Sequence, residues 1–184
     1  IVMDPRFSRS ATQADVYGRV RVGSDAAVFL GITKYAIDNN RHAVDFLVEN
    51  TNAPLLLNVD VYNHALYTME STADLDYLGN TNLYKGVQTH VVLTRAGEIK
   101  PWPEVAPEDR VLFAETRGSG GETLKSVYTV LTSVLDNYTA EEVSRISGLS
   151  VSKFNEIAET YTSIKPGTVT YAMHEPLKRT YEAM

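Results

Sequence analysis

Ile1-Val2-Met3-Asp4-Pro5-Arg6-Phe7 is the stretch on which the fold of this chain turns. Three apolar residues run straight into a charged turn, and Gly23-Ser24-Asp25 follows about one strand and one short helix later. The pattern reads as a buried strand with charge at its C-terminal tip, then a second strand with a second polar tip. Ligands of open α/β sheets sit at such tips. The chain starts in mid-strand, on Ile rather than Met, and is expected to be part of something larger.

Outward from this start, residues 8–14 predict one or two helical turns. Val16 to Val22 alternates, with Val16, Val20 and Val22 on one face and Tyr17, Arg19 and Arg21 on the other. That is a half-buried strand. Ser24 then suits a helix N-cap, because its hydroxyl can accept an orphan backbone N–H. Val28, Ile32, Tyr35 and Ala36 share a face of the helix that follows, which ends near Asn39-Asn40. A second helix is expected at about 42–50, with Val44, Leu47 and Val48 inward.

Regularity weakens after Asn52-Ala53-Pro54. Leu55-Leu56-Leu57 predicts a short buried extended piece, and Thr89 to Lys100 a small hairpin turning at Arg95 to Glu98. Pro101, Pro103 and Pro107 around Trp102 argue against helix, and Gly118 to Gly121 reads as a flexible joint. Leu124, Val127, Tyr128, Leu131, Val134 and Leu135 then fall at helical spacing. Thr139 and Glu142 form a capping box for a short helix ending at Gly148. Ser150 caps another, with Val151, Phe154, Ile157, Ala158 and Tyr161 inward. Lys165-Pro166-Gly167 ends it, and Thr168 to Met173 predicts a strand.

Helices and strands alternate at both ends, which predicts an α/β fold: a mostly parallel sheet flanked by helices, Rossmann-like. The expected organisation is one domain over 1–184, with 60–123 a surface insertion of loops and hairpins.

Composition narrows the chemistry. The formal net charge is -6 and no Lys/Arg run stands out, which argues against a nucleic-acid partner. No apolar stretch approaches the roughly 18 residues of a membrane helix. The cysteine count is zero, which excludes disulfides, thiolate metal sites, iron–sulfur ligation and cysteine nucleophiles from these residues. His42, His64, His90 and His174 lie too far apart for a local metal motif.

Two places stand out as candidate sites. Asp4 can accept two N–H donors from a guanine edge, and Arg6 can bind a phosphate or stack on a base. Ser24 and Asp25 stand at a helix N-terminus, where free N–H groups suit a phosphate or a sugar hydroxyl. On pattern alone each is also an ordinary turn or cap. Gly118 to Thr123 fails the P-loop pattern, because Lys125 does not adjoin the last glycine. Glu141-Glu142, Asp74/Asp76 and Trp102 read as a capping box, an irregular acidic segment and a loop anchor.

Taken together, Ile1 to Ala11, Ala14-Asp15, Tyr17, Arg21-x-Gly23-Ser24-Asp25-x-Ala27, Tyr35-x-x-Asp38-Asn39 and Glu49 to Pro54 carry a family pattern. They resemble the large, catalytic subunit of molybdenum- or tungsten-dependent formate dehydrogenase, of the dimethyl sulfoxide reductase superfamily. Asn137 to Val143, Ile146-Ser147-Gly148, Pro166-Gly167-Thr168 and Tyr171-Ala172-Met173 resemble the segment that closes the same domain. The resemblance covers about 1–58 and 124–173.

The resemblance implies a metal held between two molybdopterin guanine dinucleotides. It further implies that Met3, Asp4, Pro5, Arg6 and Phe7, with Gly23, Ser24 and Asp25, contact one dinucleotide at its guanosine and phosphate part, and that Met173 lies against it. The implied reaction is oxidation of formate to carbon dioxide, with electrons leaving through 4Fe-4S clusters. The implied partners are the rest of the catalytic subunit and an iron–sulfur electron-transfer subunit; the compartment is left open, with the resemblance favouring the periplasm over the cytoplasm. Departures from the family are equally clear. The cluster cysteines and the metal-ligating cysteine or selenocysteine are absent, so no catalytic residue and no metal ligand is expected here. Leu177 stands where a glutamine is expected, and His174-Glu175-Pro176 replaces a glycine-led turn, which sets 174–184 apart. Alternatives are another molybdopterin oxidoreductase, such as a nitrate or thiosulfate-type reductase, and a non-catalytic interaction module.

Overall fold

The short strand predicted at the start of the chain is β1 (Val2–Met3), and its partner is β2 (Tyr17–Gly18). The two run parallel, with Val2 opposite Tyr17 and Met3 opposite Gly18. The structure, a computed structural model, describes residues 1–73, 76–80 and 83–163. The expected strand at 168–173, Met173 and the segment 174–184 lie outside the described residues. The chain divides into two compact units, Ile1–His42 with Val134–Met184, and Ala43–Ser133. The second unit therefore extends beyond 60–123 on both sides.

A single 3-10 turn at Ala11–Gln13 links β1 to β2. Val16, Gly18 and Val20 are buried, as the alternation predicts. Val22 is not: it is 69% exposed. The backbone turns there, with the Ser24 N–H donating to the Arg21 carbonyl at 3.2 Å and Gly23 at φ +81°. A turn ends the period-2 alternation, so a valine at its apex has no inner face to occupy. Helix α1 (Asp25–Asp38) follows and buries Ala27, Val28, Gly31 and Ile32.

The second unit begins with α2 (Val44–Asn50), in which Val48 is buried and Val44, expected inward, is 44% exposed. Strands β3 (Leu56–Asn58), β4 (Ala65–Leu66), β5 (Thr68–Glu70), β6 (Gln88–Leu93), β7 (Ile99–Pro101), β8 (Glu115–Arg117) and β9 (Thr123–Ser126) follow. They form two sheets, β4-β3-β9-β8 and β5-β6-β7, and every pairing in them is antiparallel. The described strands thus form a mixed α/β structure whose one parallel pair is β1–β2, in place of the mostly parallel sheet that alternation predicts. Short connections explain the difference, since hairpins can join only antiparallel neighbours. Leu56, Val91, Ala114 and Leu124 make this unit's core.

Three local expectations change here. Gly118 to Gly121 is the tight turn between β8 and β9, closed by Gly118 N–H to the Glu122 carbonyl at 2.9 Å, and not a joint. Trp102–Glu104 and Pro107–Asp109 form single 3-10 turns. Proline is tolerated at the first positions of a helical turn, where the N–H has no partner in any case. Helix α3 (Val127–Leu135) starts three residues later than its apolar spacing predicts, because Leu124 belongs to β9. Leu131 and Val134 on α3 are 41% and 48% exposed.

Back in the first unit, α4 (Ala140–Ser147) and α5 (Val151–Ser163) pack on α1. Val16, Val20, Val28, Ile32, Val143, Leu149, Phe154, Ile157 and Ala158 form the shared core. Burying each of the larger side chains contributes about 1.5–3 kcal/mol. Gly31 lets the helices approach, since a Cβ there would lie 2.5 Å from Val143 Cγ2. Thr139 caps α4 through the Glu142 N–H at 3.3 Å, and Gly148 ends it at φ +79°. Only half of the expected capping box forms, because the Glu142 carboxylate accepts from Arg145 Nε at 2.8 Å instead. Tyr161, expected inward on α5, is 42% exposed; Thr162 is buried in its place.

Candidate functional site

Because β1 and β2 are parallel, their C-terminal tips point the same way. Residues after Met3 and after Gly18 therefore emerge at one end of the pair. Pro5, from the first tip, joins Arg19, Val20, Arg21 and Val22 from the second, with Ser147 and Gly148 at the end of α4, around an open groove of about 460 Å³.

The first tip is locally fixed. The Asp4 N–H donates to the Gly18 carbonyl at 3.2 Å, which continues the β1–β2 pairing. One Asp4 carboxylate oxygen accepts the Arg6 N–H at 2.7 Å, an Asx-type turn. The Tyr17 hydroxyl donates to the Asp4 carbonyl at 2.9 Å. Phe7 meets the Tyr17 ring edge-on, with centroids 5.1 Å apart, yet is 65% exposed. Met3 faces inward and packs against the helical core.

The second tip differs from its sequence reading in one respect. Ser24 stands at the N-cap position of α1 but accepts no N–H; its hydroxyl donates to the Arg21 carbonyl at 2.6 Å, and it is buried. Ser24 therefore braces the turn that precedes the helix. Gly23 is exposed, and nothing lies within 4 Å of where its Cβ would be. Asp25 opens α1.

Two arginines that sequence reasoning left out stand between these tips. Arg21 Nη1 donates to the carbonyls of Arg145 at 2.6 Å and Ile146 at 3.1 Å, so the guanidinium caps the C-terminal end of α4. Arg19 also lines the groove and is exposed. Their signal in the sequence was their place on the solvent face of an alternating strand, next to a polar tip.

Two other polar clusters of this unit are engaged within it. Glu159 accepts from Arg41 Nη2 at 2.9 Å and from the Tyr35 hydroxyl at 2.7 Å. Arg41, then Tyr35, holds the Glu159 carboxyl below its ordinary value. Lys34 bridges Asp136 and Asp38, and the Asp136 hydrogen bond raises its ammonium above the usual lysine value.

The remaining candidates serve structure. Trp102 stacks on Arg110, whose guanidinium carbon lies 5.5 Å from its ring and 4.9 Å from that of Tyr77. Arg110 is 5% exposed and donates to the carbonyls of Val105, Val48 and Trp102. Asp76 accepts from the Leu78 and Asn80 N–H groups, and Asn80 holds its carboxyl below the ordinary value. Asp74 lies outside the described residues. Among the described residues no group of three His, Asp or Glu side chains could hold a metal ion, and no helix is long and apolar enough to cross a membrane.

No family model matches this sequence. It is 42% identical, over 60 residues, to the nitrate-inducible formate dehydrogenase major subunit of Escherichia coli (strain K12), which is 33% of this chain and 6% of that one. It is 25% identical over 173 residues to the formate dehydrogenase major subunit of Haemophilus influenzae, covering 93% of this chain and 15% of that one. Among solved structures, acetylene hydratase from Pelobacter acetylenicus aligns with a TM-score of 0.48 at 16% identity, over 93% of this chain and 13% of that one. The class follows from the sequence relatives: the chain is a homologue of oxidoreductase subunits. In particular, its homologues along nearly its whole length include major and alpha subunits of formate dehydrogenases and a putative dimethyl sulfoxide reductase catalytic subunit of Halobacterium salinarum. The chain spans less than a fifth of the length of those relatives.

Proposed function

We propose that this chain is a cofactor-binding part of a molybdopterin-dependent formate dehydrogenase large subunit, completing there the mostly parallel, Rossmann-like domain. The carrying observation is the parallel β1–β2 pair, which brings both polar tips to one end of the pair, beside a groove lined by Pro5 of the first tip and by Arg19 to Val22 ahead of the second, in a chain homologous to such subunits over 93% of its length.

The residues present fit a guanine dinucleotide. Asp4 keeps one carboxylate oxygen beyond its turn hydrogen bond, which can accept a guanine N–H. Exposed Phe7 offers a ring face beside it. Gly23 lets a ligand approach the backbone without a Cβ in the way, and the first N–H groups of α1 beyond Ser24 and Asp25 suit a phosphate. Arg6 adds positive charge at the same end. Met3 positions the tip from within the core. Pro5 walls the groove, and Met173 is assigned to the cofactor by family position alone.

When bound, the molybdenum or tungsten centre supplies the two-electron oxidation of formate to carbon dioxide. This chain contributes binding and orientation, which is the protein's general share in cofactor chemistry. With no cysteine it brings no thiolate to that metal or to 4Fe-4S clusters, so those ligands and the iron–sulfur electron-transfer subunit belong to its partners.

The test is formate-dependent dye reduction, with metal content measured alongside, on the native enzyme containing this chain. Formate turnover without nitrate turnover is the expected result. Asp4→Ala should lower metal and pterin content. An enzyme that reduces nitrate and ignores formate would overturn the substrate assignment, and unchanged cofactor content in the variant would overturn the site.

A further inference from the structure

Resting on that reading of the groove, we infer that Arg19 is the residue that binds the diphosphate of the bound nucleotide, while its neighbour Arg21 is structural. The two arginines are two residues apart just beyond β2, and sequence pattern cannot separate them. The structure does. Arg21 donates to the Arg145 and Ile146 carbonyls, at 2.6 and 3.1 Å. A helix C-terminus carries partial negative charge that would repel a phosphate nearby, and a capping guanidinium offsets it. Gly148 leaves room for this, since a Cβ there would lie 3.3 Å from Arg21 Nε.

Arg19 has no such engagement. Its guanidinium makes no hydrogen bond or ion pair with the described residues and lines the same groove. The groove wall contains Pro5, Arg19, Val20, Arg21, Val22, Ser147 and Gly148, two arginines and no carboxylate, on a chain whose formal net charge is -6. A cation held at a groove without an acidic partner, and with the adjacent dipole neutralised, is matched to a dianionic group. A guanidinium fork can bind two phosphate oxygens at once.

Calorimetric titration of the native enzyme containing this chain, freed of its own cofactor, with guanosine diphosphate, inorganic pyrophosphate and guanosine tests this. Guanosine diphosphate and pyrophosphate should bind more weakly as salt rises, because the groove is open to solvent. Arg19→Ala should weaken both by about tenfold, the size of one charge-assisted contact at an open site. Arg19→Lys should recover part of the loss. The thermal midpoint should not change in either variant, because Arg19 holds no structural contact. If the parent enzyme binds guanosine diphosphate and Arg19→Ala binds it equally well, the assignment to Arg19 fails and the groove stands. If the parent enzyme binds none of the three, the reading of the groove itself fails.

Discussion

The two units treat their polar side chains in opposite ways. In the second, they turn inward and close loops. Arg110 is buried against carbonyls and rings, and Ser126 and Thr129 hydrogen-bond each other at 2.8 Å and the Ala114 backbone. Glu104 accepts from the Ser71 hydroxyl at 2.6 Å and the Thr72 N–H at 3.0 Å. In the first, an apolar three-helix core does the holding, and polar groups collect at the end of a two-stranded parallel pair. The lesson is that a charged residue in this chain is read by its partners. Arg110 and Arg19 are the same residue type, one fully engaged by its own chain and one open to a ligand.

Substitutions can break or sharpen this contrast. Phe154→Ala should have the largest effect, about 3–5 kcal/mol, since its side chain is 2% exposed in the helical core. Urea unfolding measures the loss, and amide exchange should accelerate in α1, α4 and α5; a loss below about 1 kcal/mol would mean that helix packing does not hold the first unit. Arg110→Ala should follow, at about 3 kcal/mol, because the buried Val105 and Val48 carbonyls and the half-buried Trp102 carbonyl lose their donor. Arg110→Lys should not restore stability, as an ammonium cannot reach all three from one position. If it does restore it, Arg110 acts as a charge and not as a fork.

Ser126→Ala should cost about 1–2 kcal/mol by removing the hydroxyl that serves Ala114, Leu112 and Thr129. Thr139→Ala should cost about 1 kcal/mol through the lost cap of α4, seen as a lower thermal midpoint. The smallest effect is electrostatic. Arg41 and Tyr35 lower the folded-state carboxyl value of Glu159, so this contribution is present above the ordinary glutamate value and is lost as pH falls through the lowered one. Glu159→Gln should flatten the acid limb of stability against pH by that small amount, and an unchanged limb would show the exposed cluster to be screened.

Much of the first unit was legible because its signals are local. Thr139, Gly148 and Ser150 mark helix ends, and Val28, Ile32, Phe154, Ile157 and Ala158 mark inner faces by spacing alone. The second unit was legible in its short pieces, such as the hairpin of β6 and β7. It was not legible as a unit, because antiparallel pairing between distant strands leaves no periodic trace. The Gly118 to Gly121 turn reads as a joint until β8 and β9 are seen to pair across it. Leu124 kept helical spacing with Val127 and Tyr128 by coincidence, and strand pairing with Leu56 to Asn58 overrode it.

The sequence by itself determined the two polar tips, the helix caps, the absence of thiol chemistry and the family resemblance. Each of these rests on residue type and short spacing. Only the tertiary structure decided that the tips emerge at one end of a parallel pair, that Ser24 braces a turn instead of capping, and that Arg21 is engaged while Arg19 is open. Those facts depend on which groups meet in the folded chain, from the Ser24 hydroxyl on the nearby Arg21 carbonyl to the Arg21 guanidinium on the distant Arg145 carbonyl, and residue spacing does not record them.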